Sequence, residues 1–114
     1  MKIKEISTFT TDVFMRLPGD DRDSQFRAEF NYLDEEEASK VRDDLECKRL
    51  SESGFLDKVL VRVSCIGDEN GDLPPEKQMQ WVRGNRAAIN AVGVAFWREI
   101  GGASEKNLSR SRGR

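Results

Sequence analysis

The sequence predicts an α+β domain in which an N-terminal β-hairpin packs on a bundle of three to four helices. Two short segments near the N-terminus carry apolar residues at every second position, and later segments carry them at intervals of three and four. The first pattern is typical of half-buried strands and the second of amphipathic helices. At 114 residues the chain has room for one core. We therefore expect one domain over residues 1–102 and a flexible basic tail over residues 103–114.

The hairpin is predicted over residues 9–33. Its first strand carries its alternating apolar residues at Val13, Met15 and Leu17. Its second strand carries them on one face, at Phe26, Ala28, Phe30 and Tyr32. Pro18 and Gly19 end the first strand, and the polar segment after them is long enough to reverse the chain. The apolar face of this hairpin needs a cover that the helices supply.

The first helix is predicted to begin after Asp34 and to run to about Leu50. Asp34 is a good N-cap, and Glu37 lies three residues on, in the capping-box position. The inward stripe consists of Ala38, Val41 and Leu45. The other faces are charged, which is typical of a solvated surface.

The apolar block over residues 55–66 fits two structures. Its spacing suits a helix face, whereas the alternation in VLVRVSC and its β-branched residues suit a strand. The length of the block and the absence of an internal turn favour a helix with Gly67 as its C-cap. A strand remains the alternative.

The remaining elements follow from turn residues. Asn70-Gly71 predicts a tight turn with positive φ, and Pro74-Pro75 predicts the start of the next helix. Gly84-Asn85 interrupts the helical pattern, and Gly101-Gly102 predicts its end. The inward residues of the last helix are expected at Ile89, Val92, Phe96 and Ile100.

The composition excludes several classes of function. The chain has no histidine and two cysteines, so neither a zinc site nor a histidine-activated nucleophile is expected. We expect no cofactor, no metal and no enzymatic activity, and we expect Cys47 and Cys65 to be small buried residues. The net charge of -2 provides no global attraction for nucleic acid. No apolar run approaches the length of a membrane span or of a signal peptide, which predicts a cytoplasmic protein.

Two features remain as candidate interaction sites. Trp81 and Trp97 are expected in the core, with anchoring of a partner surface as the alternative. The tail carries Lys106, Arg110 and Arg112, which predict an electrostatic docking arm or, alternatively, a nucleic-acid contact.

The order of these parts resembles the tail assembly chaperones of tailed bacteriophages. The motifs that carry the resemblance are Leu17-Pro18, Phe26/Phe30/Leu33 before Asp34-Glu35-Glu36, the apolar block from Phe55 to Ile66, the DENGDLP loop from Asp68 to Pro74, the apolar helix from Ala87 to Phe96, and Lys106-Asn107. Together they span nearly the whole chain.

The resemblance implies a non-enzymatic chaperone that binds the tape measure protein and assists assembly of the tail tube. The tail tube protein is the second candidate partner. Under this hypothesis Trp81, Phe96 and Trp97 contact apolar surface of the client, and Lys106, Arg110 and Arg112 contact its acidic stretches. The sequence leaves the oligomeric state open, including a homo-oligomer. The alternative function is that of a small nucleic-acid-binding phage factor that uses the basic tail.

The resemblance also predicts a longer form of the protein, made by a -1 ribosomal frameshift near the end of the reading frame. If Glu105, Lys106 and Asn107 are encoded as GAA, AAA and AAC or AAT, the message contains the slippery run A-AAA-AAC or A-AAA-AAT. Residues 108–114 would then be the remnant of the unshifted frame. Sequencing the gene checks this, since a GAG or AAG codon at 105 or 106, or a stop codon directly downstream in the -1 frame, excludes the slip.

Overall fold

The computed structural model describes the backbone of residues 7–112 and the side chains of residues 7–101. The elements in chain order are β1 (Thr8–Met15), β2 (Ser24–Asn31), α1 (Glu35–Glu46), α2 (Glu52–Val59), β3 (Leu60–Ser64), β4 (Gly67–Asp68), β5 (Gly71–Asp72), α3 (Pro75–Arg83) and α4 (Arg86–Arg112). The predicted α+β class is confirmed. Strands β1, β2 and β3 form one sheet, β4 and β5 form a short ribbon, and the helices pack on one face of the sheet.

The sheet is antiparallel, with β2 in its centre. The predicted hairpin is formed by β1 and β2, which place Val13 opposite Phe26 and Phe9 opposite Phe30. On its other side β2 pairs with β3, and the register shifts between Glu29 and Phe30. The extra residue is Val61 of β3, and a bulge of this kind bends the strand that carries it and increases its twist. The outer edges of the sheet are therefore β1 and β3.

Strand β3 corrects the prediction of a single helix over residues 55–66. Helix α2 ends at Val59, and the chain continues directly into β3 from Leu60. The alternating β-branched residues of this segment suit a strand once the second edge of β2 offers it backbone partners. Gly67 is accordingly not a helix C-cap but the first residue of β4. An added Cβ there would lie 2.8 Å from the Cα of Asp72, so the ribbon needs a glycine.

The inward face of β2 is confirmed except at one residue. Phe26, Ala28 and Phe30 are all buried. The prediction that Tyr32 continues this face is wrong, because its side chain is 43% exposed. The strand ends at Asn31, so the alternation of a pleated strand no longer determines where the next side chain points.

The outward face of the sheet is mainly polar and carries ion pairs. The Arg62 guanidinium lies 2.7 Å from the Glu29 carboxylate, and Arg27 lies 3.5 Å from Asp12 across the neighbouring strand pair. Hydrogen bonds from the side chains of Arg62 and Thr8 hold the pKa of Glu29 below its ordinary value. Exposed pairs of this kind are screened by water and contribute little to stability, so these charges mainly keep this face of the sheet hydrated.

Helix α1 begins as predicted and ends early. The Asp34 carboxylate accepts a hydrogen bond of 2.9 Å from the backbone N–H of Glu37, which confirms the N-cap. The helix ends at Glu46 rather than near Leu50. Lys48 has a φ of 60°, a left-handed conformation that turns the chain away from the helix axis.

The turn residues of the second half act as predicted. Gly71, which ends the turn as the first residue of β5, has a φ of 114°. Pro75 is the first residue of α3, and Gly84 and Asn85 separate α3 from α4. The Asn85 side chain accepts a hydrogen bond of 3.1 Å from the backbone N–H of Ala88 and so caps α4.

Helix α4 is longer than predicted. Its backbone continues through Gly101 and Gly102 to Arg112, whereas the sequence predicted an end at these glycines. The flexibility of residues 103–114 stays a prediction. None of the helices in the described part of the chain has a stretch that is both apolar and long enough to span a membrane.

The prediction that both cysteines are buried is wrong, since both thiols are exposed. Cys47 lies at the C-cap of α1, where its backbone N–H donates to the Asp43 carbonyl. Cys65 occupies the turn between β3 and β4 with a φ of 66°. Each residue lies just outside a helix or strand, where the chain changes direction.

The core is organised by aromatic rings that join the sheet to α4. The Phe30 ring of β2 contacts Phe96 of α4 edge to face, with 5.3 Å between the ring centroids. Phe9 of β1 lies 5.4 Å from Phe30, and Phe55 of α2 lies 5.5 Å from Phe96. Phe30 and Phe96 are both fully buried. Phe9 also lies 6.1 Å from Phe96, so rings from β1, β2 and α2 meet at the Phe96 ring of α4.

Gln78 of α3 is buried and ties the β4–β5 ribbon to the helices. Its side-chain oxygen accepts a hydrogen bond of 3.1 Å from the backbone N–H of Ile66, and its amide nitrogen donates one of 2.7 Å to the Leu73 carbonyl. Ile66 and Leu73 flank the ribbon and are bonded to each other through their backbones at 3.0 Å. One side chain thus bonds to both chain segments at the open end of the ribbon.

We predict that Phe30→Ala lowers the free energy of unfolding by about 3 to 5 kcal/mol, because it leaves a cavity where the sheet meets α4. Phe14→Ala is the matched control, since Phe14 is 51% exposed on the outward face of the sheet. Its effect should stay within about 0.5 kcal/mol. Denaturant unfolding measures both, and equal effects of the two substitutions would contradict the assigned core.

We predict that Gln78→Leu lowers the free energy of unfolding by about 1 to 3 kcal/mol, because it leaves the Ile66 N–H and the Leu73 carbonyl without these partners. Gln80→Leu, an exposed position on the same helix, controls for the change of residue type. Thermal melts of both variants provide the comparison. A Gln78→Leu protein as stable as the control would show that the ribbon does not depend on this side chain.

Candidate functional site

An apolar groove of about 650 Å³ lies along α4, on the side that faces α1 and α2. We call it the α4 groove, defined by Leu45, Phe55, Ile89, Gly93, Val94 and Trp97. Leu45 comes from α1, Phe55 from α2, and the others from α4. The groove is open to solvent and presents mainly carbon surface, which distinguishes it from the polar outward face of the sheet.

The spacing of residues along α4 explains why the groove exists. Phe96 and Val92 are fully buried toward the sheet. Residues three or four apart share a helix face, so Gly93 and Trp97 lie together on a different side of the helix. Val94 is 66% exposed, although valine is among the residues most often buried. Helix α4 therefore carries apolar surface beyond what the core uses.

Gly93 opens the middle of the groove. A Cβ added there would meet no atom within 4 Å, so the fold itself does not require a glycine at this position. The missing side chain leaves space between Ile89 and Trp97, which lie four residues to either side on the same helix face. Another backbone can approach α4 closely at this point.

Trp97 is held in place from two sides. Its ring is stacked on Phe55, with 5.8 Å between centroids and 16° between planes. The Arg42 guanidinium of α1 lies 4.9 Å from the centroid of the Trp97 ring, within cation–π distance. The indole is half-buried, so part of it remains available in the groove. A ring fixed in this way loses little conformational freedom when it contacts a partner.

Charged side chains surround the apolar floor. Glu52 of α2 lies at one end and forms an ion pair with Arg86 at the start of α4. Arg98 lies at the other end, where its guanidinium donates 3.0 Å to the backbone carbonyl of Asp12 and lies 3.4 Å from the Glu99 carboxylate. The Arg98 side chain is consequently bound to β1 while it also lines the groove.

The predicted apolar contact residues do not form one site. Trp97 lies in the α4 groove, but Phe96 is fully buried, and its assignment to a partner surface is wrong. Consecutive helix residues point about 100° apart. Because Phe96 packs against Phe30 of the sheet, Trp97 points to a different side of α4. Trp81 lines a separate cavity of about 410 Å³ at the β4–β5 end of the sheet. Both tryptophans pack against the core and keep part of their surface exposed.

The predicted basic contacts cannot be placed in the same way. Lys106, Arg110 and Arg112 fall where only the backbone of α4 is described, so their side chains lie outside the described residues. Their role in binding stays a prediction.

Sequence reasoning missed Leu45, Phe55, Val94 and Arg42 as site residues. A signal was present: α4 has apolar residues on more of its circumference than one buried stripe needs, because Val94 falls outside the inward set. No local sequence signal indicated that Leu45 of α1 and Phe55 of α2 line the groove, because their position there depends on how these helices pack beside α4.

The described residues hold no group of three or more histidine, cysteine, aspartate or glutamate side chains that could bind a metal ion. Every buried side-chain nitrogen or oxygen in this part of the chain has a hydrogen-bond partner. The most distinctive surface is therefore the apolar α4 groove, which suits the binding of another apolar surface. Comparison with protein-family models, curated proteins and solved structures finds no match.

Proposed function

We propose that this protein is a phage tail assembly chaperone that holds the tape measure protein in the α4 groove and assists tail tube assembly in the cytoplasm of the bacterial host. The observation that carries the proposal is the solvent-open apolar groove, with Val94 exposed and Trp97 fixed beside it. The order of sequence motifs supports the identity of the client. A non-enzymatic role agrees with a site that consists of apolar surface.

The shape of the groove favours a helical client. A helix presents apolar residues at intervals of three and four, and such a stripe inserts between the facing residues of a groove. The tape measure protein, as the resemblance implies, is long and helical and carries such stripes. Gly93 lets the client backbone approach α4 closely at the centre of the contact.

The expected strength of this contact suits a chaperone. Three client side chains fully buried in the groove would contribute about 5 to 9 kcal/mol from apolar burial. Association itself costs about 4 to 15 kcal/mol in lost freedom and ordering. The balance favours a weak complex for each groove, which holds the client during assembly and still releases it.

We predict that Val94→Asp removes chaperone activity toward the client, because it introduces a charge into the apolar floor. The assay co-expresses each variant with the long helical protein encoded near this gene and measures the soluble client. Val61→Asp is the matched control, since Val61 is 41% exposed on β3, away from the groove. We expect a loss of at least about tenfold for Val94→Asp only, which corresponds to roughly 1.4 kcal/mol of binding.

Thermal melts establish that both variants are folded before the comparison is made. Equal soluble client with Val94→Asp and with the unchanged protein would contradict the groove as the client site. The absence of a long helical reading frame near the gene would contradict the tape measure protein as the client.

A further inference from the structure

The distribution of charge around the α4 groove differs from that of the whole chain. The protein has a net charge of -2, yet three arginines surround the groove. They are Arg86 and Arg98 of α4 and Arg42 of α1. The carboxylate among the groove-lining residues is that of Glu52.

Four of the six acidic residues of α1 lie away from the groove. Glu35, Glu36, Asp43 and Asp44 line a separate polar cavity, together with Lys40 and Arg49. The side of α1 that meets the groove presents Leu45 and Arg42 instead. Arg42 is thus the charged residue of α1 that contacts a groove-lining side chain directly.

The arginines lie near the two ends of the apolar floor. Arg86 shares a helix face with Gly93 and Trp97, seven and eleven residues further on. Arg98 follows at the far end, about 18 Å along the axis from Arg86 at a rise of about 1.5 Å per residue. Arg42 lies over Trp97, close to that far end.

Arg42 is the most available of the three. Arg86 is paired with Glu52, and Arg98 is bonded to the Asp12 carbonyl and to Glu99. Among the residues whose side chains are described, no carboxylate lies within ion-pair distance of Arg42. Its guanidinium rests on an aromatic face, which leaves its N–H donors at the edge free to bind an acceptor.

We infer that the helix held in the α4 groove carries acidic residues beside its apolar stripe. This inference rests on the proposed function, because it assumes that the groove binds a helix. A carboxylate on the client would meet Arg42 near Trp97, and a second one about three turns away would meet Arg86. Such complementary charges steer encounter and select the partner more than they raise affinity.

The test uses three synthetic helical peptides with the same leucine stripe. The positions flanking the stripe carry glutamate, glutamine or lysine, residues of similar helix propensity, and circular dichroism establishes that the three helicities match. Fluorescence anisotropy of labelled peptides measures binding to the full-length protein. At low salt we expect the glutamate peptide to bind about fivefold more tightly than the glutamine peptide, and the lysine peptide to bind most weakly. The differences should disappear at about 1 M salt, where charges are screened within about 3 Å.

A substitution locates the effect. Arg42→Gln should reduce the preference for glutamate while the glutamine peptide still binds. Arg16→Gln is the control, because Arg16 is an exposed arginine that pairs with Asp23 at the hairpin and does not line the groove.

Each outcome separates this inference from the proposed function. Equal binding of the three peptides, or a preference for lysine, would overturn the acidic client and leave the groove as a binding site. A glutamate preference unchanged by Arg42→Gln would also overturn it. If no peptide binds and Val94→Asp leaves client solubility unchanged, the assignment of the α4 groove as a binding site is wrong. Both proposals are then contradicted.

Discussion

The contact between Phe30 and Phe96 is the interaction on which the rest of the structure depends. It joins the central strand of the sheet to α4, and both rings are fully buried. Once Phe96 points to the sheet, the rotation of α4 about its axis is determined. Trp97 then points toward α1 and α2, where its ring contacts Phe55 and Arg42. The orientation of the groove is therefore a consequence of core packing.

Elements specified by neighbouring residues could be predicted from the sequence. The alternation around Phe26 and Phe30, the Asp34 cap, the proline at the start of α3 and the break at Gly84 each depend on a few adjacent residues, and the structure has all of them. Such signals act through local backbone geometry, which one sequence contains in full.

Features that depend on distant partners could not be predicted in this way. The change from helix to strand after Val59 requires the free edge of β2, which lies about thirty residues earlier in the chain. Which of Phe96 and Trp97 is fully buried depends on the rotation of α4 about its axis, and packing against the sheet determines that rotation. Cys47 belongs to a helix end whose position depended on a left-handed turn at Lys48. The apolar residues of α4 that line the groove could be predicted in part, because α4 has more of them than one buried stripe needs. The residues that α1 and α2 contribute could not be predicted.

The bond from Arg98 to the Asp12 carbonyl also affects the edge of the sheet. The backbone N–H of Tyr32 donates to the Ser7 carbonyl, and the register of β1 and β2 then directs the Asp12 carbonyl away from β2. That oxygen would otherwise be an open acceptor in the middle of an eight-residue edge strand. A foreign strand that tried to extend the sheet along β1 would find this position already taken by a guanidinium. Arg98, which also lines the groove, thus occupies one of the backbone acceptors that an added strand would need. Addition of strands to an exposed edge is a route to aggregation.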